Sequence, residues 1–554
     1  MNYPKIALRL FVLFILFIQV QTGLGQKKPI ANVLYAIIQE SGGDAAIKQY
    51  RDLKANHADE YDFSEPQLNR LGYKLMGETK HDAALKVFKL NVEMFPNSPN
   101  VYDSLGECYL VTGRHERAAR NYKKALKILA DTDMPANRKK FLENNAKMKL
   151  LEAENFEPKT AETLNYVAYY GGVPASKWDM KNLVEFQKQH PEVKMSYDGN
   201  NLYSRPVPHS VPAKLAPDFK ADVISSFVGG VYREFVEKDR IADISNLWKE
   251  EGWDDQFPES FKRMVTYKGK QYFVPQAFQF NPIFYRKDIF KKHGWQPPKS
   301  WDDLLQLCDE INAAGYSPFT VSAQGWPPPV ARWFTILNLR LNGPEFHEQV
   351  MRGKVAFTDP KIKNVFQYWA QLFEHNAFSD SSGWNNYQKG IQEITSGKAV
   401  MYNLGEWLYE SLNDEQKELF DFFAVPEINP DVKQAEIVHT YGAFIVSNSR
   451  HPRQARALLR FLGSKESQRS NVKELSRINA NVMVDQKHYT DVQRRLFEHV
   501  KNTEILVPLF EFNTEAKLAE AGIKTFVAFW RHPENVDQIL EDWEAKRLEI
   551  KASN

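Results

Sequence analysis

Hydrophobic positions along the chain follow two different spacings, and the change falls near residue 160. Beyond it, short apolar runs alternate with amphipathic stretches of helical spacing. The runs at 164–169 and 222–227 are rich in β-branched and aromatic residues, which predicts buried strands. This alternation is typical of an α/β domain with a largely parallel sheet. Because ligands of such sheets bind beyond the carboxyl ends of the strands, residues 169–172 and 227–232 are predicted pocket edges.

The clearest helix is predicted over residues 301–314. Ser300 and Asp303 have the spacing of an N-terminal capping box, and Gly315 is a typical residue just after a helix end. Trp301 lies on the apolar face of this helix, so we expect it to pack in the core.

Before residue 160 the apolar positions repeat. Gly72 recurs as Gly106, and Phe88 recurs as Tyr122, 34 residues later in each case. A small residue facing an aromatic one suits the contact between two antiparallel helices, and the segment resembles tetratricopeptide repeats over about 65 residues. Residues 27–155 are therefore predicted to form an all-α tetratricopeptide-repeat domain. It is either a docking groove for a protein partner or a spacer.

The first 25 residues, 1–25, are predicted to be a secretory signal peptide. Lys5 and Arg9 precede an apolar run from Leu10 to about Val20, and small residues follow near Gly25. The run is short of the ~20 residues that a spanning helix needs, although an uncleaved anchor is the alternative. No cysteine near this end could carry a lipid. We therefore expect a periplasmic or secreted protein.

The amino-acid composition argues against several classes of function. The chain has 72 Lys+Arg against 70 Asp+Glu, which disfavours a nucleic-acid or polybasic membrane binder. Its two cysteines, Cys108 and Cys308, exclude a disulfide scaffold. No metal-ligand or cofactor motif is present, and no catalytic motif points to an enzyme. Aromatic residues make up 13% of the chain, enough for a large core or a stacking surface.

Six motifs after residue 160 resemble those of the family 1 extracellular solute-binding proteins, the sugar-binding branch that serves ABC importers. They are VTYKGKQYFVP (265–275), IFYRKDIF (283–290), PKSWDDLL (298–305), AGYSPF (314–319), GKVAFTDP (353–360) and SGKAVMYNLGEW (396–407). They occur in family order. Two positions differ, since Arg286 replaces the family's Asn and Glu406 replaces its usual Ser.

The resemblance implies an α/β two-lobed periplasmic-binding-protein fold over residues 160–554. Such lobes are joined by hinge strands and close over a ligand. By resemblance, residues 274–276 and 441–444 are the expected hinge crossings.

Sugar binding requires aromatic faces for stacking and planar polar groups for hydroxyls. Trp407 is a candidate by its family position, and the others stand on predicted loops or strand ends. The candidate ligand-binding residues are Gln276, Phe278, Trp326, Arg332, Trp384, Glu406, Trp407, Tyr441 and Asn479. The loop tryptophans could instead cap a core edge, and Glu406 could pair with a surface cation.

The predicted function is a periplasmic receptor that captures a carbohydrate between two lobes and delivers it to an ABC importer permease. The alternative is a sensor or scaffold that docks a partner through the repeat domain and signals through its solute-binding lobes. Neither requires a cofactor. The sequence does not identify the sugar, and Arg332 or Glu406 could equally select an acidic or an amino sugar.

Overall fold

The computed structural model describes residues 27–168, 173–199, 221–323, 330–378, 386–475 and 477–553. The chain divides into two compact units, one ending at Pro158 and the other beginning at Lys159. The predicted signal segment, 1–25, lies outside the described residues. No helix within the described ranges is long and apolar enough to cross a membrane.

The first unit is helical, as the sequence predicts. Its described helices are α1 (Ile30–Asn56), α2 (Glu65–Gly77), α3 (His81–Met94), α4 (Pro99–Val111), α5 (His115–Asp131) and α6 (Ala136–Asn155). Two short strands, β1 (Lys28–Pro29) and β2 (Tyr61–Asp62), form a parallel pair. Helices α2 and α3 pack as one hairpin, and α4 and α5 pack as the next.

Each hairpin depends on a glycine facing an aromatic ring. A Cβ on Gly72 would overlap the ring of Phe88, and a Cβ on Gly106 would lie 2.9 Å from Cε1 of Tyr122. Both rings are fully buried. The 34-residue spacing therefore corresponds to the same helix contact in both hairpins, while membership in the tetratricopeptide class stays a prediction.

The second unit contains two larger sheets. Its described strands are β3 (Leu164–Ala168), β4 (Met195–Gly199), β5 (Val223–Phe227), β6 (Thr266–Tyr267), β7 (Lys270–Gln271), β8 (Val274–Phe280), β9 (Ile283–Arg286), β10 (Ser317–Phe319), β11 (Ala399–Asn403), β12 (Phe420–Phe423), β13 (Ala435–Ile445), β14 (Ile478–Asn479) and β15 (Ile505–Pro508). The first sheet has the order β14-β8-β13-β5-β3-β4, with β15 also paired to β13. The second sheet has the order β10-β11-β9-β12. We call the structure around the first sheet the first lobe and that around the second sheet the second lobe.

Helices cover both sheets. The described helices of this unit are α7 (Val173–Gln189), α8 (Arg233–Glu237), α9 (Ser245–Glu250), α10 (Glu259–Val265), α11 (Lys287–His293), α12 (Trp301–Ala313), α13 (Ala331–Met351), α14 (Pro360–Glu374), α15 (Tyr387–Ser396), α16 (Asp414–Lys417), α17 (Pro452–Gly463), α18 (Lys465–Leu475), α19 (Asp491–Asn502), α20 (Phe510–Asn513), α21 (Ala516–Arg531) and α22 (Val536–Ser553). The capping box of α12 is confirmed. The Asp303 backbone N–H donates to Ser300 Oγ at 3.1 Å, and the Asp303 carboxylate accepts from the Ser300 N–H at 3.0 Å. Trp301 is buried in the core, also as predicted.

The chain passes between the lobes at three described places. Strand β8 of the first sheet leads into β9 of the second through Asn281 and Pro282, and β12 returns to β13 through residues 424–434. After β15, the short helix α20 leads to α21 and α22, which pack on α13 and α14. Arg340 of α13 stabilises the second passage, because its guanidinium donates to the carbonyls of Val425 and Ala435.

The predicted hinge positions were wrong. Residues 274–276 and 441–444 lie inside the first sheet, where β8 and β13 pair with each other. The apolar character of these strands continues past the expected crossings, so the ladder extends to Phe280 before the chain changes lobe. Buried backbone N–H and C=O groups need hydrogen-bond partners, so β8 stays paired with β13 beyond the positions that the motifs imply. The chain changes lobe only where this pairing ends.

Candidate functional site

The predicted site residues fall into three groups. Trp326 and Trp384 lie outside the described residues. Trp407, Arg332, Gln276 and Tyr441 lie where the two lobes meet. The remaining three, Phe278, Glu406 and Asn479, are buried in other surroundings.

Trp407 and Arg332 form one pair on the second lobe. Trp407 belongs to a 3-10 turn, Glu406–Ser411, that follows β11, and a Cβ on Gly405 would overlap its indole. Glycine therefore lets the ring fold back over the backbone. The Cζ of Arg332 lies 5.1 Å from the indole centroid, and its Nε donates to Oδ1 of Asn281 at 3.2 Å. This pair thus contacts the first passage between the lobes.

Gln276 and Tyr441 form the facing group on the first lobe. The register between β8 and β13 shifts between Tyr441, opposite Ala277, and Gly442, opposite Pro275, so Gln276 is the extra residue of a bulge. Its Oε1 accepts a hydrogen bond from Ser225 Oγ at 2.8 Å. The bulge lets a polar side chain of β8 reach across β13 to β5.

Tyr441 is positioned by polar and cationic neighbours. Its hydroxyl donates to Oε1 of Gln279 at 2.8 Å, and the Cζ of Arg477 lies 4.6 Å from its ring centroid. Each lobe therefore presents an aromatic ring with a guanidinium over it.

His439 joins these groups, and the sequence reasoning missed it. Its ring centroid lies 4.0 Å from Phe227, at the end of β5, and 5.3 Å from Phe512 on α20, both in stacked geometry. Trp407 meets it edge-on at 5.6 Å. Tyr441 also contacts it. We call these five residues, Phe227, Trp407, His439, Tyr441 and Phe512, the interlobe cluster.

Burial shifts the ionisable groups around this cluster. It holds the pKa of His439 well below its usual value, and the nearby Arg332 and Arg477 lower it further. Burial also raises the pKa of Glu511, beside Phe512, to about 7, although Arg332 opposes that rise. The imidazole is therefore neutral at physiological pH.

Phe278 packs in the core. It is 1% exposed, and its ring lies 5.0 Å from Phe261 and 6.5 Å from Phe497. It shares a hydrophobic cluster with Ile478, whereas the neighbouring Ala277 packs with Phe227. The structure therefore does not bring Phe278 to the interlobe cluster.

Glu406 and Asn479 both belong to contacts near β14. A carboxylate oxygen of Glu406 accepts the backbone N–H of Ile478 at 3.1 Å, so this residue links the turn after β11 to the first sheet. The backbone N–H of Asn479 donates to Oη of Tyr489 at 3.0 Å. Glu406 is 2% exposed, so its carboxylate is buried.

Metal binding and cysteine chemistry are the other kinds of site to consider. Across the described ranges, no group of three or more His, Cys, Asp and Glu side chains could hold a metal ion. Cys108 and Cys308 are separate buried thiols.

Comparison with known proteins gives the family. Residues 162–469 match the bacterial extracellular solute-binding proteins. The chain belongs to this family. An uncharacterised ABC transporter extracellular-binding protein of Pyrococcus horikoshii is 26% identical over 392 residues, which cover 69% of this chain and 88% of that protein. The diacetylchitobiose-binding protein NgcE of Streptomyces coelicolor is 23% identical over 249 residues, which cover 41% of this chain and 52% of that protein.

Solved structures share the two-lobed periplasmic-binding-protein fold. The bacterial solute receptor AcbH, whose preference is for β-D-galactopyranose, superposes with a TM-score of 0.62 at 19% identity, covering 70% of this chain and 97% of that one. A chitin oligosaccharide binding protein superposes with a TM-score of 0.60 at 21% identity, covering 69% and 98%. Sugar-binding receptors of ABC transporters thus occur among both the relatives and the structural neighbours. The alternative of a docked sensor finds no support in them.

Proposed function

We propose that the second unit captures a carbohydrate between its lobes and delivers it to an ABC importer permease. The observation that carries this proposal is the interlobe cluster, in which Trp407 from the second lobe contacts His439 of the first lobe, which in turn contacts Phe227 and Tyr441. Family membership supports a solute receptor, and members of this family are in general not enzymes.

The chemistry of the cluster suits a sugar. A pyranose presents apolar C–H faces that pack on aromatic rings, and its hydroxyls need amide, guanidinium or imidazole partners. Trp407 supplies a half-buried ring, while Gln276, Gln279 and Arg332 supply planar polar groups. A ligand held in this way would contact both lobes, so its binding would favour the closed arrangement.

A carbohydrate panel tests the proposal. D-galactose, maltose, raffinose and diacetylchitobiose are titrated into the full chain by calorimetry, with the melting temperature measured in parallel. We expect at least one to bind saturably and to raise the melting temperature. Absence of binding and of any thermal shift across a broader carbohydrate set would overturn the sugar assignment.

Trp407→Ala supplies the site-specific test. We expect binding about fivefold to a hundredfold weaker, because stacking and burial of an indole contribute on the order of 1–3 kcal/mol. Trp295→Ala is the matched control, since Trp295 is also half-buried but stacks on His293, outside the cluster. Equal affinity losses in both variants would contradict a role specific to Trp407.

We further propose that residues 27–155 form a tetratricopeptide-repeat domain that docks a protein partner, and that residues 1–25 are a cleaved signal peptide. The equivalent Gly72–Phe88 and Gly106–Tyr122 contacts support the first proposal. Mass spectrometry of the exported protein should find a new N-terminus near Gln26. Limited proteolysis should cut first between residues 155 and 160, which separate the two proposed domains.

A further inference from the structure

His439 carries two ring nitrogens that its described neighbours do not hydrogen-bond. The residue is 7% exposed, and neither ring nitrogen has a hydrogen-bond partner within the part of the chain that the structure describes. Buried polar side chains are paired in the large majority of cases, so an unpaired one requires an explanation. The cost of leaving such a group unpaired is typically larger than the gain from pairing it.

The packing of the ring fixes where a partner could reach it. Phe227 and Phe512 stack on the imidazole. Their own ring centroids are only 4.4 Å apart, so both phenylalanines lie on the same side of the imidazole. A hydrogen-bond partner of either nitrogen must approach in the ring plane, at the edge that carries both nitrogens. Trp407, the proposed stacking surface for the ligand, has its ring centroid 5.6 Å from that of His439, with the two planes at 64°.

We infer that His439 is a specificity-determining residue of the cleft, and that its two ring nitrogens pair with hydroxyl groups of the bound carbohydrate. The inference rests on the proposed function, because it assigns a role within the same site. It adds a residue that the motifs did not identify. It also specifies hydroxyl groups as the part of the ligand that contacts the interlobe cluster at His439.

The protonation state of His439 selects hydroxyl groups over charged ones. A neutral imidazole carries one N–H donor and one acceptor nitrogen. A carboxylate of the ligand can only accept and an ammonium group can only donate, so either would leave one nitrogen unmatched. A hydroxyl both donates and accepts. The charged groups that act on His439, Arg332 and Arg477, both disfavour its protonation.

His439→Phe separates a ligand-binding role from a packing role. Phenylalanine retains an aromatic ring against Phe227 and Phe512 but has no nitrogen. If the inference is right, the unliganded variant melts at the same or a higher temperature, because an unpaired polar group has been removed. It should nevertheless bind the probe about tenfold to a hundredfold more weakly. The probe is whichever of D-galactose, maltose, raffinose and diacetylchitobiose binds the unaltered full chain.

Further variants complete the experiment. His439→Asn keeps an N–H donor group and an acceptor in a smaller side chain, so it should bind better than His439→Phe. If the larger ring disturbs folding, His439→Leu, which also lacks nitrogen, takes the place of His439→Phe. His499→Phe is the control, since His499 stacks on Phe280, outside the interlobe cluster, and should bind as the unaltered protein does.

Deoxygenated sugars provide a measurement, the affinity ratio between a sugar and its deoxygenated analogue, that a change in packing alone would not alter. The unaltered protein should discriminate against at least one singly deoxygenated analogue of the bound sugar, and His439→Phe should lose that discrimination. Unchanged probe affinity in His439→Phe and His439→Asn would overturn the inference while leaving the proposed function intact. If no carbohydrate binds the unaltered protein, the proposed function fails and the inference fails with it.

Discussion

The buried carboxyl of Glu511 should make the second unit less stable as the pH rises. Glu511 is 6% exposed on α20, at the third passage between the lobes. Burial raises its pKa from 4.5 to about 7, and Arg332 only partly opposes that rise. The folded protein therefore binds this proton more tightly than the unfolded chain does.

The sign and size follow from this difference. The stabilisation from the protonated carboxyl is fully present below pH 4.5 and is lost as the pH rises through about 7. At about 1.4 kcal/mol for each pH unit between the two pKa values, the loss amounts to roughly 3 kcal/mol. Glu511→Gln keeps the shape of the neutral carboxyl and cannot ionise. It should come within about 1 kcal/mol of the unaltered protein at pH 5 and exceed its stability by roughly 3 kcal/mol at pH 8.

Tryptophan fluorescence isolates the relevant unit. All 12 tryptophans lie at or after Trp178, so urea unfolding followed by their emission reports on the second unit. The free energy of unfolding is measured at pH 5, 6, 7 and 8. Glu541→Gln, at an exposed position on α22, should keep the pH slope of the unaltered protein. Parallel pH profiles for Glu511→Gln and the unaltered protein would refute the reasoning, as would a destabilised Glu511→Gln at pH 8.

Two other substitutions test packing in each unit. Gly72→Ala should destabilise the first unit by about 1–3 kcal/mol because its Cβ overlaps Phe88, whereas Gly77→Ala meets nothing within 4 Å and should be neutral or slightly stabilising by circular dichroism; equal effects would contradict the assigned contact. Arg340→Ala should cost the second unit about 3–5 kcal/mol in urea unfolding, because it leaves a buried carboxylate 2.8 Å away without its cation. The exposed pair of Arg352 should contribute less than about 1 kcal/mol, so a similar loss in Arg352→Ala would count against that argument.

Local rules made the helical elements predictable. The capping box of Ser300 and Asp303 and the small-to-aromatic contacts of Gly72 depend on residues close in sequence or on a fixed repeat. The residue types at these positions are therefore enough to predict the local helix geometry. The family motif at 396–407 similarly pointed to Trp407, which lies where the lobes meet.

The rest depended on long-range pairing. The bulge at Gln276 exists only because β8 pairs with β13, which follows it by more than a hundred residues. Phe278 occupies the opposite, buried face for the same reason. His439 stands in an apolar strand, where a single histidine is typical of a packed core residue. The place of His439 in the interlobe cluster becomes clear only in the folded protein, where Phe512 of the third passage packs against it.

The three passages between the lobes also set an order for biosynthesis. Strand β13 pairs with β5 but is made about 200 residues later, which at about 5–20 residues per second takes roughly 10–40 s. During that interval the early strands of the first sheet have no central partner. The second lobe waits longer still, because α21 and α22 follow β13 in the chain. A nascent chain of this protein therefore stays open to chaperones until α22 has been translated.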